Sequence, residues 1–338
     1  MKNTRVVMAK RPVGEPDDSC FRFEETDIPD PGEGEILIKV LWLSLDPYMR
    51  GRMRDVKSYA KPLEVGEIMI GESAGVVIAS KSARYRVGDY VTAHMGWQTC
   101  ILANADDERV MPVDLNNGTL SAHLGVVGMP GRTAYFGLLE VGKPKSGETL
   151  VVAAASGAVG SVVGQLAKLK GLRVTGIAGG PEKCRYVREE LKFDDCIDYK
   201  AGRLAEELAR ACPDGIDIYF ENVGGEVTRA VAPLLNQGAR VPICGYISQY
   251  NAEDIGKAET PFQIVERLKH VPEHRFFVVT EWRDRWMEAT RQLGNWVSEG
   301  KIKYRESVGE KLENAPQLFR GLLKGRNFGK QLVRIADE

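Results

Sequence analysis

With 338 residues the chain suits about two ordinary domains, and its 46 Lys and Arg against 47 Asp and Glu leave a formal charge of −1 with no basic run. That balance argues against nucleic acid or an anionic membrane surface as partners. Six scattered cysteines form no C-x-x-C pair and four histidines no metal-ligand spacing; no apolar run nears membrane-span length, and the opening MKNTRVVMAKRPVGEP lacks a signal-peptide core. A soluble, cytoplasmic protein with no metal site and no disulfide framework is therefore expected.

Residues 1–122 read as β-rich. Segments 35–40 and 72–79 are strand-like, and a turn at Gly88-Asp89 opens a third strand. Short strands broken by Gly, Pro and Asp turns favour a barrel-like architecture. Between them, 44–53 reads as a polar, proline-containing loop followed by Ser58-Tyr59, the kind of loop on which a substrate site is expected. Around Gly128-Met129-Pro130-Gly131 the pattern turns helical, and 143–148 is a polar turn.

Segment 150–154 is apolar on both faces, as a strand buried in a parallel sheet must be. It runs into Ser156-Gly157-Ala158-Val159-Gly160, a helix over 161–172 and a second strand, 173–178. A helix over 182–191, a strand at 195–199, a helix at 204–211 and a strand at 216–221 follow. A helix over 226–236 closed by Gly238 and a fifth strand at 239–245 complete the pattern. Such alternation predicts an α/β fold with a doubly wound parallel sheet across 123–300. Segment 301–338 adds an amphipathic helix marked by Leu312, Ala315, Leu318, Phe319, Leu322 and Leu323, then a strand at 331–335. It is too short for a core of its own and must dock on one of the two domains.

The βαβ unit at 150–180 carries the chemistry. Gly157 lets the backbone approach a pyrophosphate, Gly160 and Gly164 allow helix and strand to pack closely, and the helix N-terminus offers free N–H groups to phosphate. Ala155 stands where the strict G-x-G-x-x-G pattern has its first glycine, but the strand before and the helix after are present, so dinucleotide binding is expected. Ligands of such sheets lie beyond the carboxyl ends of the strands, which selects 156–160, 179–183, 199–200, 222–224 and 246–250. Where an NAD site carries an acid for the ribose 2′-hydroxyl, this chain has Ala178; Gly179-Gly180 opens space and Lys183 brings a cation, which points to NADPH.

Seven segments carry a resemblance. They are Asp46-Pro47-Tyr48-Met49-Arg50-Gly51-Arg52-Met53, Gly96-Trp97-Gln98, Gly128-Met129-Pro130-Gly131, Ala155-Ser156-Gly157-Ala158-Val159-Gly160, Glu221-Asn222-Val223-Gly224-Gly225-Glu226, Ile247-Ser248-Gln249-Tyr250-Asn251 and Gly325-Arg326-Asn327-Phe328-Gly329-Lys330. Through them the chain resembles the zinc-independent medium-chain dehydrogenases/reductases. Within these it is most similar to the group of leukotriene 12-hydroxydehydrogenase/prostaglandin reductase, plant alkenal double-bond reductases and bacterial curcumin reductase. The resemblance implies a Rossmann domain inserted in a GroES-like catalytic domain made of 1–122 and 301–338. It also implies NADPH, a homodimer, and reduction of the carbon–carbon double bond of α,β-unsaturated ketones or aldehydes. Gly71-Glu72-Ser73 replaces the Gly-His-Glu ligand motif of zinc-dependent relatives, and their four-cysteine lobe is missing. The polar loop at 251–262 departs from the longer proline-rich stretch common in the family.

The cofactor residues that go with this resemblance are Met129, Ser156, Gly157, Ala158, Val159, Gly160, Gly179, Lys183, Tyr199, Asn222, Cys244, Tyr250, Phe277, Val278 and Asn327. The reaction needs a hydride at the β-carbon and a group that holds the enolate and returns a proton. Without a metal, a phenol, protonated at neutral pH, serves as the donor to the oxyanion. Tyr250, just past the fifth strand, is the first candidate; Tyr48 and Tyr59, on the loop of the other domain, are second candidates for gripping the carbonyl. Quinone reduction with the same fold and cofactor, and a non-catalytic NADPH-binding role, stay open at this stage.

Overall fold

A computed structural model describes residues 1–56, 60–254 and 256–337. The chain divides into two units, one formed by Met1–Gly125, Glu306–Asn327 and Gln331–Glu338, the other by Val126–Arg305 and Phe328–Lys330.

In the first unit β1 (Lys2–Met8) and β2 (Phe21–Asp27) form an antiparallel pair. Neither stands out in the sequence, because β2 is charged and faces solvent along most of its length. β3 (Glu35–Ser44) is nearly continuous in apolar residues because it is central: β4 (Ser73–Ser80) runs along one side. β5 (Tyr90–Ala93) and β7 (Val110–Pro112) extend the sheet beyond β4, while the other side of β3 takes β6 (Cys100–Asn104) along its first half. Along its second half β3 pairs with a strand from the tail, Lys330–Arg334, through Leu332↔Ser44. The tail helix Ala315–Leu323 closes the core: Phe319 meets the fully buried Trp97 edge-on at 5.7 Å, and Phe21 stacks on Trp97 at 5.9 Å.

The expected loop at 44–53 is a correction. Residues Tyr48–Arg52 form a short helix, α1, opened by Pro47, whose ring pre-sets a helical φ. Met49 and Arg50 are wholly buried; the Arg50 guanidinium donates to Gly14 O at 2.6 Å, and burial lowers its pKa to about 10. A charge inside an apparently polar segment conceals its inward face.

The second unit is the doubly wound sheet. Six parallel strands lie in the order β10-β9-β8-β11-β12-β13. They are β8 (Thr149–Ala153), β9 (Arg173–Ala178), β10 (Asp195–Asp198), β11 (Ile216–Phe220), β12 (Leu235–Ile243) and β13 (Glu273–Phe276). Strand order reverses beside β8, which sets a ligand crevice beyond the carboxyl ends of β8 and β11. The edge strand β13, EHRF, has no apolar alternation to betray it, since an edge strand tolerates exposed charge.

Two further expectations give way. Gly238 does not close a helix: the helix Glu226–Val231 gives way to a 3₁₀ turn containing Pro233, which has no N–H to continue the ladder. Gly238 instead lies at φ +81° in a bulge of β12, where the register jumps from Ile216↔Leu235 to Ile218↔Arg240. Gly164 is a glycine because its helix packs on the ring of Phe193, not on the strand.

Candidate active site

Beyond β8 the chain reverses at Ala154, whose φ of +53° costs a non-glycine residue roughly 1 kcal/mol. Gly157 N donates to Ala154 O at 2.9 Å and Ser161 N to Gly157 O at 3.1 Å, so helix α2 (Gly160–Leu169) starts directly on the strand end. A Cβ on Gly160 would collide with the Ala154 carbonyl. Ser156 is buried, whereas Gly157, Ala158 and Val159 remain partly open at the helix N-terminus. The strap Phe328–Lys330 lies across this turn: Gly157 bridges Gly329, and Gly329 N donates to Ser156 O at 3.1 Å. Gly329 has φ +78° and leaves no room for a Cβ beside the Arg305 carbonyl.

At the end of β9, Ala178 is buried and presents no acid. A Cβ on Gly179 would lie 2.8 Å from Tyr199 and 3.1 Å from Lys200, so these two side chains pack closely over a position that only glycine fits. The Asp198 carboxylate is occupied by main-chain N–H groups, Gly180 at 2.8 Å and Lys200 at 3.0 Å. Lys183 stands on the first turn of helix α3 (Pro181–Glu189), half-buried, with its ammonium 6.0 Å from the Phe328 ring centroid. Burial and the charge of Lys200 hold its pKa below the ordinary lysine range. An anion placed here relieves both effects, so the residues fit a 2′-phosphate.

Beyond β11 lies an acid that the amino-acid sequence shows only as part of a motif. Glu221 is fully buried, and its carboxylate accepts from Val223 N at 2.7 Å, Gly224 N at 2.9 Å and the Thr228 hydroxyl. Burial pushes its pKa up. Its main-chain oxygen takes Cys244 N at 2.9 Å, and Asn222 Nδ2 donates to Ala153 O at 2.8 Å, so the ends of β8, β11 and β12 are laced together. The turn continues upward: Ser248 N and Oγ both donate to Val223 O, at 3.0 and 2.6 Å. Tyr250 caps that short turn, its hydroxyl 3.4 Å from Tyr246 N. The Cys244 thiol is pushed up to about 12 by burial and by Glu221.

The remaining candidates are less gathered. Phe277 is buried among Phe220 and Trp282, at 6.0 and 6.1 Å, so its ring serves the core, and its main-chain N–H goes to Ile243 O at 3.4 Å. Val278 is half-buried, its N–H given to Glu281 at 2.8 Å. Met129 opens the helix Met129–Phe136, half-buried, with its sulfur 3.6 Å from the Thr133 hydroxyl. Asn327 ends a first-unit segment immediately before the strap. Tyr48, in the first unit, has its hydroxyl 2.8 Å from His94 Nε2. Tyr59 lies outside the described residues.

Residues 4–113 match the family profile described as the N-terminal domain of oxidoreductase, and residues 158–292 the one described as zinc-binding dehydrogenase. NADPH-dependent curcumin reductase of Escherichia coli (strain K12) is 50% identical over 340 residues, spanning 100% of this chain and 98% of that protein. The chain belongs to the medium-chain dehydrogenase/reductase family. Prostaglandin reductase 1 of Bos taurus is 42% identical over 332 residues, 97% of this chain and 98% of its own. A crystal structure of CurA from Vibrio vulnificus in complex with NADPH matches this medium-chain reductase with a TM-score of 0.92 at 48% identity, covering 99% of this chain and 100% of that one. Among the described residues no group of three or more His, Cys, Asp and Glu is placed to hold a metal ion, and no helix is long and apolar enough to cross a membrane.

Proposed function

We propose that this chain is an NADPH-dependent reductase of the carbon–carbon double bond of α,β-unsaturated ketones and aldehydes. The observation that carries this is the 50% identity, along the full chain, to an NADPH-dependent curcumin reductase. The absence of an acid at Ala178 and the neighbouring cations Lys183 and Lys200 support it, because they favour a 2′-phosphate over a ribose hydroxyl. Bound NADPH supplies the hydride for the β-carbon.

Lys183 and Tyr199 hold the 2′-phosphate, and residues 156–160 with the N-terminus of α2 hold the pyrophosphate. Gly179 gives the adenosine half room. Asn222, Cys244, Tyr250, Met129, Asn327 and the main chain of Phe277 and Val278 face the remainder of the cofactor. Tyr250 donates its hydroxyl to the enolate oxygen; Tyr48, with Tyr59 as the further candidate, grips the substrate carbonyl. The first unit is the substrate domain, and the working form is a cytoplasmic homodimer, for which sedimentation of the purified protein is the check.

NADPH consumption across 2-alkenals, enones, curcuminoids and quinones, with a chelator present and NADH for comparison, tests the proposal. Turnover of enones and enals that survives the chelator and prefers NADPH is expected. Turnover confined to quinones would overturn it, and NADPH binding without any turnover would leave a non-catalytic protein.

A further inference from the structure

The sequence shows His94 as one of four histidines without a metal-ligand partner. The fold brings it to Tyr48, 46 residues away in the chain: Nε2 lies 2.8 Å from the tyrosine hydroxyl. Their rings stack at 6.2 Å with planes 23° apart. Both side chains are held from behind. Tyr48 opens α1 directly after Pro47, and His94 follows β5 with its main-chain N–H on Arg109 O at 3.1 Å. The imidazole is half-buried, so water competes weakly for the contact.

We propose that His94 is the positioning residue of Tyr48, and that its imidazolium form aims the Tyr48 hydroxyl at the substrate carbonyl and restores the proton that Tyr48 gives up. This rests on the reductase function proposed above and on the role given there to Tyr48. The physical reason lies in the hydrogen-bond inventory of the ring. A neutral imidazole with a bare Nε2 accepts the phenolic proton and turns it away from any substrate, and one protonated at Nε2 donates but has no proton to pass on without becoming an imidazolate. An imidazolium has only donors, so it must give its Nε2 proton to the Tyr48 oxygen, which leaves the phenolic proton pointing outward.

The step balances without any co-reactant beyond those of the reduction. Hydride addition at the β-carbon leaves an enolate. The Tyr48 O–H bond breaks as its proton forms an O–H bond on the enolate oxygen, and the His94 N–H bond breaks as its proton passes to the phenolate oxygen. His94 ends neutral and regains a proton from water; the enol tautomerises to the saturated carbonyl product.

Among the described residues, the charged and titratable groups facing His94 are Tyr48 and Arg52 on α1, Asp46 just before it, and Arg109 just before β7. Asp46 favours the imidazolium; burial, the largest influence, and the two arginines oppose it, so the ring titrates below its ordinary 6.5. Activity that depends on the imidazolium is therefore full on the acid side and lost as pH rises through that lowered value.

The test is the pH profile of kcat and kcat/KM on an enone for the wild type, His94→Gln, His94→Asn and Tyr48→Phe. The amides can donate a hydrogen bond to Tyr48 but cannot carry an extra proton. We expect the wild-type rate to rise toward acid pH and both His94 variants to lose that rise, with kcat at low pH down on the order of a hundredfold. NADPH affinity and Tm should be unchanged, and adding Tyr48→Phe should cost no more than either change alone. An NMR titration of the His94 ring in the wild type must coincide with the kinetic limb, which keeps the test open if a variant folds poorly. A slow Tyr48→Phe beside His94 variants that retain the wild-type profile would overturn the His94 role and spare that of Tyr48. An unaffected Tyr48→Phe would overturn both, and absence of enone turnover in the wild type would overturn the functional proposal itself.

Discussion

Tyr250 and Lys183 have different roles in the proposed cofactor site, and each makes a separable prediction. Tyr250→Phe keeps the ring that packs on Tyr246 at 5.7 Å and removes only the hydroxyl. A lost oxyanion donor costs about 3 kcal/mol, so kcat should fall on the order of a hundredfold while the NADPH Kd hardly moves; steady-state kinetics with a cofactor titration checks it, and an unaffected rate would remove Tyr250 from the mechanism. Lys183→Ala should weaken NADPH roughly tenfold to a hundredfold, the range of one charge-assisted hydrogen bond, and leave NADH alone. Because burial and Lys200 lower the Lys183 pKa from the ordinary 10.5, wild-type NADPH affinity should also fall on the alkaline side before a normal lysine would lose its charge. Binding titrations across pH and with both nucleotides would show it, and an equal loss for NADH would contradict the 2′-phosphate role. Lys183 was legible in the chain because its meaning depends on near neighbours, Ala178 and Gly179. Glu221 and His94 were not, because a buried acid and a paired imidazole are defined by partners that only folding supplies.

At the scale of elements, the turn after β8 is closed on its own backbone. Gly160→Ala drives a Cβ into the Ala154 carbonyl, where backbone and not a flexible side chain must yield. Overpacking of this kind costs about 1–3 kcal/mol, and the displaced start of α2 should weaken NADPH as well. Thermal melting and a cofactor titration measure the two effects; an unchanged Kd would separate the turn from phosphate binding. The elements read well from the chain were those with a strong local signal: the wholly buried β8, the amphipathic tail helix and the helix Leu204–Ala211. Those misread lacked one or hid it: β13 is charged because it is an edge, α1 buries an arginine, and Gly238 serves a bulge that exists only against β11.

For the molecule as a whole, the first unit depends on residues from both ends of the chain. Phe319 from the tail seals Trp97, so Phe319→Ala should cost about 3–5 kcal/mol in that unit and expose the indole. Chemical denaturation followed by tryptophan fluorescence would report it, and a loss below the level of a surface substitution would contradict the packing role. The sequence by itself determined the parallel α/β sheet, the dinucleotide turn and the preference for a 2′-phosphate. These follow from periodicity, glycine freedom and charge among residues close in the chain. Only the tertiary structure decided that Gly329 straps the glycine turn, that Glu221 and Asn222 together lace three strand ends, and that His94 meets Tyr48. Each of these depends on strand register and close packing between distant segments, which no local pattern encodes.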